Sequence, residues 1–290
     1  MQRELTETET ELAGLNAQLT VLQDIPYLPT AESRHRLDLY LPKKAPTSTR
    51  GDAARPLIVF LHGGAWRAND RKMFELLAAR LAVHADAVVA VPGYRLSVPV
   101  KDANRPMHPA FENDVVSALA FLHAVAPAYG NSWSTDRVYV AGHSAGAHLA
   151  SRVVFFNSGK PVHVRGIVGI DGIYNLRDLI DEYPGYTDFV AGAFGDDQTQ
   201  WDGALAVPDA DRVAEAVKAS GLKAVLTLHS ADDELLTFRQ SRLFDNAVRN
   251  AAVGPELTVE WDSESVRGKH DDLLLLEPIV HRIARFVREN

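Results

Sequence analysis

Ser144 sits in Gly142-His143-Ser144-Ala145-Gly146, with the strand-forming run Val138-Tyr139-Val140-Ala141 before it and the helix-forming run Ala147 to Phe155 after it. A serine at such a strand-to-helix turn is a nucleophile pattern. The turn is so sharp that it holds the serine in a strained backbone conformation, with Oγ exposed above the sheet. Glycines two before and two after keep side chains out of the crowded turn. A serine hydroxyl is a poor nucleophile until a base takes its proton, so Ser144 needs an acid, a histidine and donors for the oxyanion.

The acid is expected just past a late strand, where Leu226-Thr227-Leu228 leads into His229-Ser230-Ala231-Asp232-Asp233-Glu234. Asp232, Asp233 and Glu234 compete. Asp233 is favoured, with the apolar pair Leu235-Leu236 behind it to re-enter the core. The base must follow the next strand, and His270 lies in a loop there, in Gly268-Lys269-His270-Asp271. His281 is the other late histidine, but it shares a helix face with Arg285, away from the Ile279/Ile283/Phe286 stripe, and should be solvated. Phe60-Leu61-His62-Gly63-Gly64 follows a buried strand. Its glycines let bare backbone N–H groups of Gly63 and Gly64 approach a reacting centre, and the Ala145 N–H completes an oxyanion hole. His143, His148 and His229 read as packed residues of the elbow, its helix and a strand end. His84, His123 and His163 read as surface or boundary positions. None makes a metal-ligand spacing such as H-E-x-x-H, so neither metal nor cofactor is expected.

These residues need a rigid frame. Leu57–Leu61, Ala87–Val91, Val138–Ala141, Val164–Ile170, Ala224–Leu228 and Leu257–Trp261 read as strands, several of them wholly apolar. Asp70–His84, Phe111–Ala124 and the C-terminal stripe read as helices between and after them. Alternating strands and helices imply an α/β fold, a mostly parallel central sheet with helices on both faces. His35–Leu41, alternating with Leu37, Leu39 and Leu41, reads as a half-exposed edge strand, and the polar stretch 42–56 as a surface loop. The interval 171–222 breaks the rhythm and reads as a cap inserted above the strand ends, where clefts of open parallel sheets lie. Residues 1–24 read as an N-terminal amphipathic helix, with Leu5, Leu12, Leu15, Leu19 and Leu22 in one stripe, and 25–290 as the main domain. That stripe would dock on the domain or join two copies in a homodimer.

The formal net charge of −8 disfavours a nucleic acid or an anionic membrane as partner through a global basic surface. Absent cysteine excludes disulfides and thiol chemistry and fits a reducing cytoplasmic setting. No apolar window is long enough to span a bilayer. The acidic start of the chain lacks the apolar run of a secretory signal.

Together the motifs resemble kynurenine formamidase (arylformamidase) of the fungal type, in the α/β-hydrolase superfamily. His62-Gly63-Gly64-Ala65-Trp66 matches its H-G-G-x-W motif and Ser144 its G-x-S-x-G serine. Asp171-Gly172-Ile173-Tyr174-Asn175-Leu176 with Glu182-Tyr183-Pro184 resembles its cap entry. His229 through Ser241 resembles its acid loop, which puts the family aspartate on Asp233, and its histidine falls on His270. The likeness runs from about Pro56 to the C-terminus. Gly93 and Val98 depart from it, standing where an acidic residue and a proline are more usual.

The resemblance implies hydrolysis of N-formyl-L-kynurenine to L-kynurenine and formate, the second step of tryptophan breakdown toward NAD. The substrate is a small molecule, and a serine triad without metal should suffice. Gly63, Gly64, Ala145 and Trp66 would face the small acyl group. Tyr174, Tyr183, Tyr186, Phe189 and Phe194 are candidates for the aromatic leaving-group side. Arg67, Arg177 and Arg239 compete for the amino-acid end. A short-acyl carboxylesterase of the same fold is the alternative, and a non-catalytic ligand-binding protein a more distant one.

Overall fold

The computed structural model of the chain describes residues 6–30, 32–45, 54–98, 102, 104–130, 132–157, 162–251 and 256–290. Leu5 of the N-terminal stripe and 46–53 of the connector lie outside the described residues. Eight strands among them form one sheet: β1 (Leu19–Pro26), β2 (Arg36–Pro42), β3 (Arg55–Leu61), β4 (Val88–Pro92), β5 (Trp133–His143), β6 (Gly166–Ile170), β7 (Ala224–Leu228) and β8 (Thr258–Asp262). The order across the sheet is β1-β2-β4-β3-β5-β6-β7-β8. β2 runs antiparallel to both β1 and β4, and the other pairs are parallel.

The helices are α1 (Glu7–Asn16), α2 (Glu75–His84), α3 (Ala110–Val125), α4 (Ala145–Phe155), α5 (Leu176–Glu182), α6 (Thr187–Phe194), α7 (Ala210–Glu215), α8 (Phe238–Ala251) and α9 (Glu277–Glu289). The sheet's pleat sorts its apolar side chains between two cores. In β3, Leu57, Val59 and Leu61 join the core covered by α3, α4, α7 and α8. Ile58 and Phe60 point the other way, into the core under α1, α2 and α9. Both faces of the central strands are therefore dry, which is why Arg55–Leu61 is one unbroken buried run.

Two expectations near the N-terminus are corrected. The helix does not reach residue 24; it ends at Asn16, and Leu19–Pro26 is an edge strand paired with β2. Thr6 and Glu9 close a capping box at the helix start. Beyond Gln18 the backbone gains more by pairing with β2 than by extending a polar helix. Leu19 and Leu22, three apart, then fall on opposite faces of the sheet, in the two different cores. β2 is accordingly an interior strand rather than a half-exposed edge. Leu37 and Leu39 are buried on one face, Asp38 and Tyr40 on the other.

The interval between β6 and β7 carries α5, α6 and α7, with the 3₁₀ segments Pro184–Tyr186 and Gln198–Ala204 between them. Its first half covers the carboxyl ends of the strands. Its second half, α7, packs beside α4 and α8 in the helical layer instead. No helix of the described residues is long and apolar enough to cross a membrane.

Candidate active site

β5 feeds straight into α4, and Ser144 is the residue between them. Its φ of 54° and ψ of −118° lie outside the ordinary regions for an L-residue. The glycines explain how so tight a turn closes. A Cβ on Gly142 would lie 2.2 Å from the Gly146 carbonyl oxygen, and one on Gly146 would lie 2.1 Å from that of Leu61. Ser144 N–H donates to the Ile170 carbonyl at 2.9 Å, tying the elbow to β6. Ser144 lines a cavity of about 350 Å³ together with Gly64, Ala65, Tyr186, Phe189 and His270.

His270 lies in the loop after β8, and each acidic residue of the competing trio has a different task there. Asp233 Oδ2 is 2.8 Å from His270 Nδ1. Asp233 Oδ1 accepts from the Leu235 and Leu236 amides at 2.8 and 2.9 Å. Asp232 accepts from Gly268 N–H at 3.3 Å, and Glu234 from His270 N–H at 2.9 Å. Ser230 Oγ adds a bond to the Gly268 carbonyl at 2.6 Å. The acid loop thus holds both the imidazole and the backbone that carries it. His143, next to Ser144, reaches the same loop from the elbow: its Nε2 lies 2.8 Å from the His270 carbonyl oxygen, and the two rings are 4.7 Å apart. Leu236 is buried as expected after the acid, whereas Leu235 stays exposed and forms cavity wall.

Burial works to raise the Asp233 carboxyl, but the hydrogen bonds from His270 and the two amides prevail and keep it below the usual range. For His270, burial works to lower the imidazole, and the Asp233 carboxylate outweighs it, so the net shift is upward. His143 is driven down to about 3, chiefly by burial and then by neighbouring His270, so it stays neutral.

Asp171 is a functional-site neighbour that sequence reasoning read only as part of the cap entry. It follows β6 at a φ of 43° and is fully buried. Its Oδ1 accepts from Ser230 N–H at 2.8 Å. Asp171, Asp233 and His270 each bring one polar atom within 4.8 Å of the others. Burial, then the charge of Asp233, pushes the Asp171 carboxyl up to about 8. Two other groups of metal-ligand types converge among the described residues: His143/His270/Asp271 and the surface set His84/Glu277/His281. In the first of these and in the Asp171 group, one nitrogen of each histidine ring, His143 Nε2 and His270 Nδ1, is engaged in the hydrogen bonds just described.

The His62-Gly63-Gly64 loop follows β3 onto the elbow. A Cβ on Gly63 would lie 2.7 Å from His143 Nδ1 and 3.0 Å from Ser144 Cβ, so only glycine lets the loop pass this close. Gly64 at φ 106°, Ala65 at 50° and Trp66 at 56° form a left-handed run that turns successive amides the same way. The turn is closed by the Arg67 and Ala68 amides on the Gly64 carbonyl, both at 2.9 Å. From outside, Tyr94 stacks on His62 with centroids 4.3 Å apart and donates its hydroxyl to the His62 carbonyl at 2.8 Å. Gly93 has no room for an acidic side chain, since its Cβ would meet the Arg34 carbonyl at 2.7 Å. Val98 is exposed beyond this wall.

The expected substrate-side aromatics divide. Tyr186 and Phe189 line the cavity. Tyr183 stands behind Tyr186, stacked at 5.0 Å, with its hydroxyl accepting from Thr237 N–H at 3.1 Å. Tyr174 is corrected: it is fully buried, stacks on Phe244 at 4.3 Å and does not line the cavity. Trp66 and Phe194 are likewise buried beneath, edge-on to each other at 4.8 Å, with Trp66 also against Phe189. The H-G-G-x-W tryptophan therefore supports the wall without lining it. Aromatic spacing cannot separate wall from core, because both need apolar rings. Of the three competing arginines, Arg67 lines the cavity, while Arg177 pairs with Asp202 and Arg239 with Asp178 outside it.

An elbow serine, a carboxylate-bound imidazole and a glycine loop at the strand ends of this sheet define an α/β-hydrolase. Residues 37–248 match the family model described as BD-FAE, and the chain belongs to that family. It is similar to a kynurenine formamidase of Meyerozyma guilliermondii, at 32% identity, covering 64% of this chain and 68% of the relative. A kynurenine formamidase of Aspergillus versicolor is 28% identical over 89% of this chain and 97% of its own. A probable isoprenylcysteine alpha-carbonyl methylesterase of Arabidopsis thaliana is 28% identical over 85% of this chain and 56% of its own. Among solved structures, esterase B from Lactobacillus rhamnosis superposes with a TM-score of 0.69 at 19% identity, covering 98% of this chain and 92% of that one. At that identity the likeness concerns the fold.

Proposed function

We propose that the chain is a serine hydrolase that cleaves N-formyl-L-kynurenine to L-kynurenine and formate, in tryptophan breakdown toward NAD. The observation that carries the chemistry is the 2.8 Å bond between His270 Nδ1 and Asp233, at a cavity shared by His270, Ser144 and Gly64. With Nδ1 held by the carboxylate, Nε2 is free to take a proton. Ser144 Oγ attacks the formyl carbon as His270 accepts its proton. The amides of Gly63, Gly64 and Ala145 hold the resulting oxyanion, each such donor contributing about 3 kcal/mol to the barrier reduction. His270 then protonates the aryl nitrogen, the C–N bond breaks and L-kynurenine leaves. Water, deprotonated by His270, attacks the formyl ester, and formate departs as Ser144 regains its proton.

The substrate assignment rests on the two kynurenine formamidase relatives and on the Tyr186/Phe189 wall, which suits an aryl leaving group. An aryl formamide also suits a metal-free triad, because the ring withdraws nitrogen electrons and the departing aniline is weakly basic. The second reading, a short-acyl carboxylesterase, is favoured by the relative named a probable methylesterase. Absorbance-monitored cleavage of N-formyl-L-kynurenine and of p-nitrophenyl acetate separates the two. The proposal expects a higher kcat/KM for the formamide, lost by a factor of about 10³ or more in Ser144→Ala. A preference for the ester would favour the second reading.

A further inference from the structure

The cavity lining carries two charged side chains to which the acyl chemistry assigns no task. Among the described residues lining it, Arg67 is the one permanent cation and Asp271 the one carboxylate. Both are solvent-accessible. We infer that Arg67 and Asp271 form a subsite for an α-amino-acid zwitterion, Arg67 taking the α-carboxylate and Asp271 the α-ammonium, beside the aromatic wall of Tyr186 and Phe189. This rests on the function proposed above and assigns the part of the substrate that distinguishes it from any other aryl formamide.

Arg67 is held ready for such a role. Its guanidinium lies 5.4 Å from the Phe189 ring centroid, so the wall that would hold the aryl group also positions the cation. One nitrogen, Nη1, bonds Asp188 at 2.8 Å. That pair is open to solvent, at 41% and 73% side-chain exposure, so it costs little to share or exchange. A guanidinium carries five donors in a planar fork that fits a carboxylate. Arg177 and Arg239 lack this freedom of access, being paired away from the cavity. Asp271 follows His270 directly in the loop after β8, and Arg67 lies in the loop after β3, so the two charges reach the cavity from different elements. A tail-free ester or a prenyl chain would gain nothing from them and would have to lie beside them.

Two measurements test the subsite. The first compares N-formyl-L-kynurenine with formanilide, which has the scissile bond and no amino-acid tail. Arg67→Met should lower the ratio of their kcat/KM values about tenfold or more, chiefly through KM, as expected for a lost charge-assisted bond. Asp271→Asn should lower it in the same direction. Asp271 also borders the proposed base, but any change in His270 would strike both substrates alike and leave the ratio unmoved. An unchanged ratio in both variants overturns the subsite. The second measurement uses no chemistry. Ser144→Ala should bind L-kynurenine, and adding Arg67→Met should weaken that binding about tenfold or more. Equal binding overturns the subsite. If L-kynurenine binds through Arg67 while wild type fails to cleave the formamide, the proposed reaction falls and the subsite stands.

Discussion

Asp171 and Asp233 follow neighbouring strands, and their carboxyls take opposite charge states. Asp233 is repaid by His270 and two amides, so it stays ionised. Asp171 has the Ser230 amide and faces Asp233, His270, His229 and Glu234 across the site, so it keeps its proton to about pH 8. That difference has a sign in the pH dependence of stability. Between the ordinary carboxyl pKa near 3.8 and the raised value near 8, the folded chain holds a proton that the unfolded chain has lost. Stability from this group is therefore greatest in acid and falls as pH rises through that window. Asp171→Asn keeps the shape and removes the titration. Its Tm should gain on wild type as pH goes from 5 to 8, and a gap constant with pH would contradict the assignment. The sequence made Asp233 and His270 legible because order along the chain and turn position constrain them. Asp171 was not legible, since an Asp-Gly after a strand reads as a turn until burial is known. His143 was visible only as a packed residue; that it braces the His270 backbone depends on a strand end and a loop 127 positions apart in the chain.

At the scale of elements, the loop proposed to hold the oxyanion is held from behind by Tyr94, through His62. Tyr94→Phe removes the bond to the His62 carbonyl and keeps the ring stack. It should cost about 1 kcal/mol in stability. Because the loop's amides must sit within a few tenths of an ångström of a developing charge, kcat should fall several-fold with little change in KM. Urea unfolding together with steady-state rates checks this; a destabilised variant with wild-type kcat would show that the loop holds its shape alone. The parallel strands were readable because burial on both faces leaves unbroken apolar runs. The first strand was not, because leucines at 15, 19 and 22 satisfy a helical period by coincidence while β2 offers the backbone a pairing edge. Aromatic residues of the cap were equally ambiguous: Tyr174 and Tyr186 are alike in sequence and differ in which side of the roof they face.

At the scale of the whole molecule, the sheet divides labour. Its two dry cores fix the strand ends, and every group proposed for the chemistry leaves one of those ends: Gly63 and Gly64 after β3, Ser144 after β5, Asp233 after β7 and His270 after β8. The chain thus brings to one cavity residues more than a hundred positions apart, and the choice of substrate is proposed to lie with the cap aromatics Tyr186 and Phe189 together with Arg67 and Asp271. The central claim is that these separate ends act as one acyl-transfer site. A serine-directed fluorophosphonate, followed by peptide mapping across a pH series, tests it most directly. The account predicts labelling at Ser144, at a rate that rises with pH through a midpoint above the ordinary imidazole value of about 6.5, because Asp233 raises His270. It predicts loss of that labelling in His270→Ala. Labelling elsewhere, or undiminished labelling of Ser144 without His270, would contradict it.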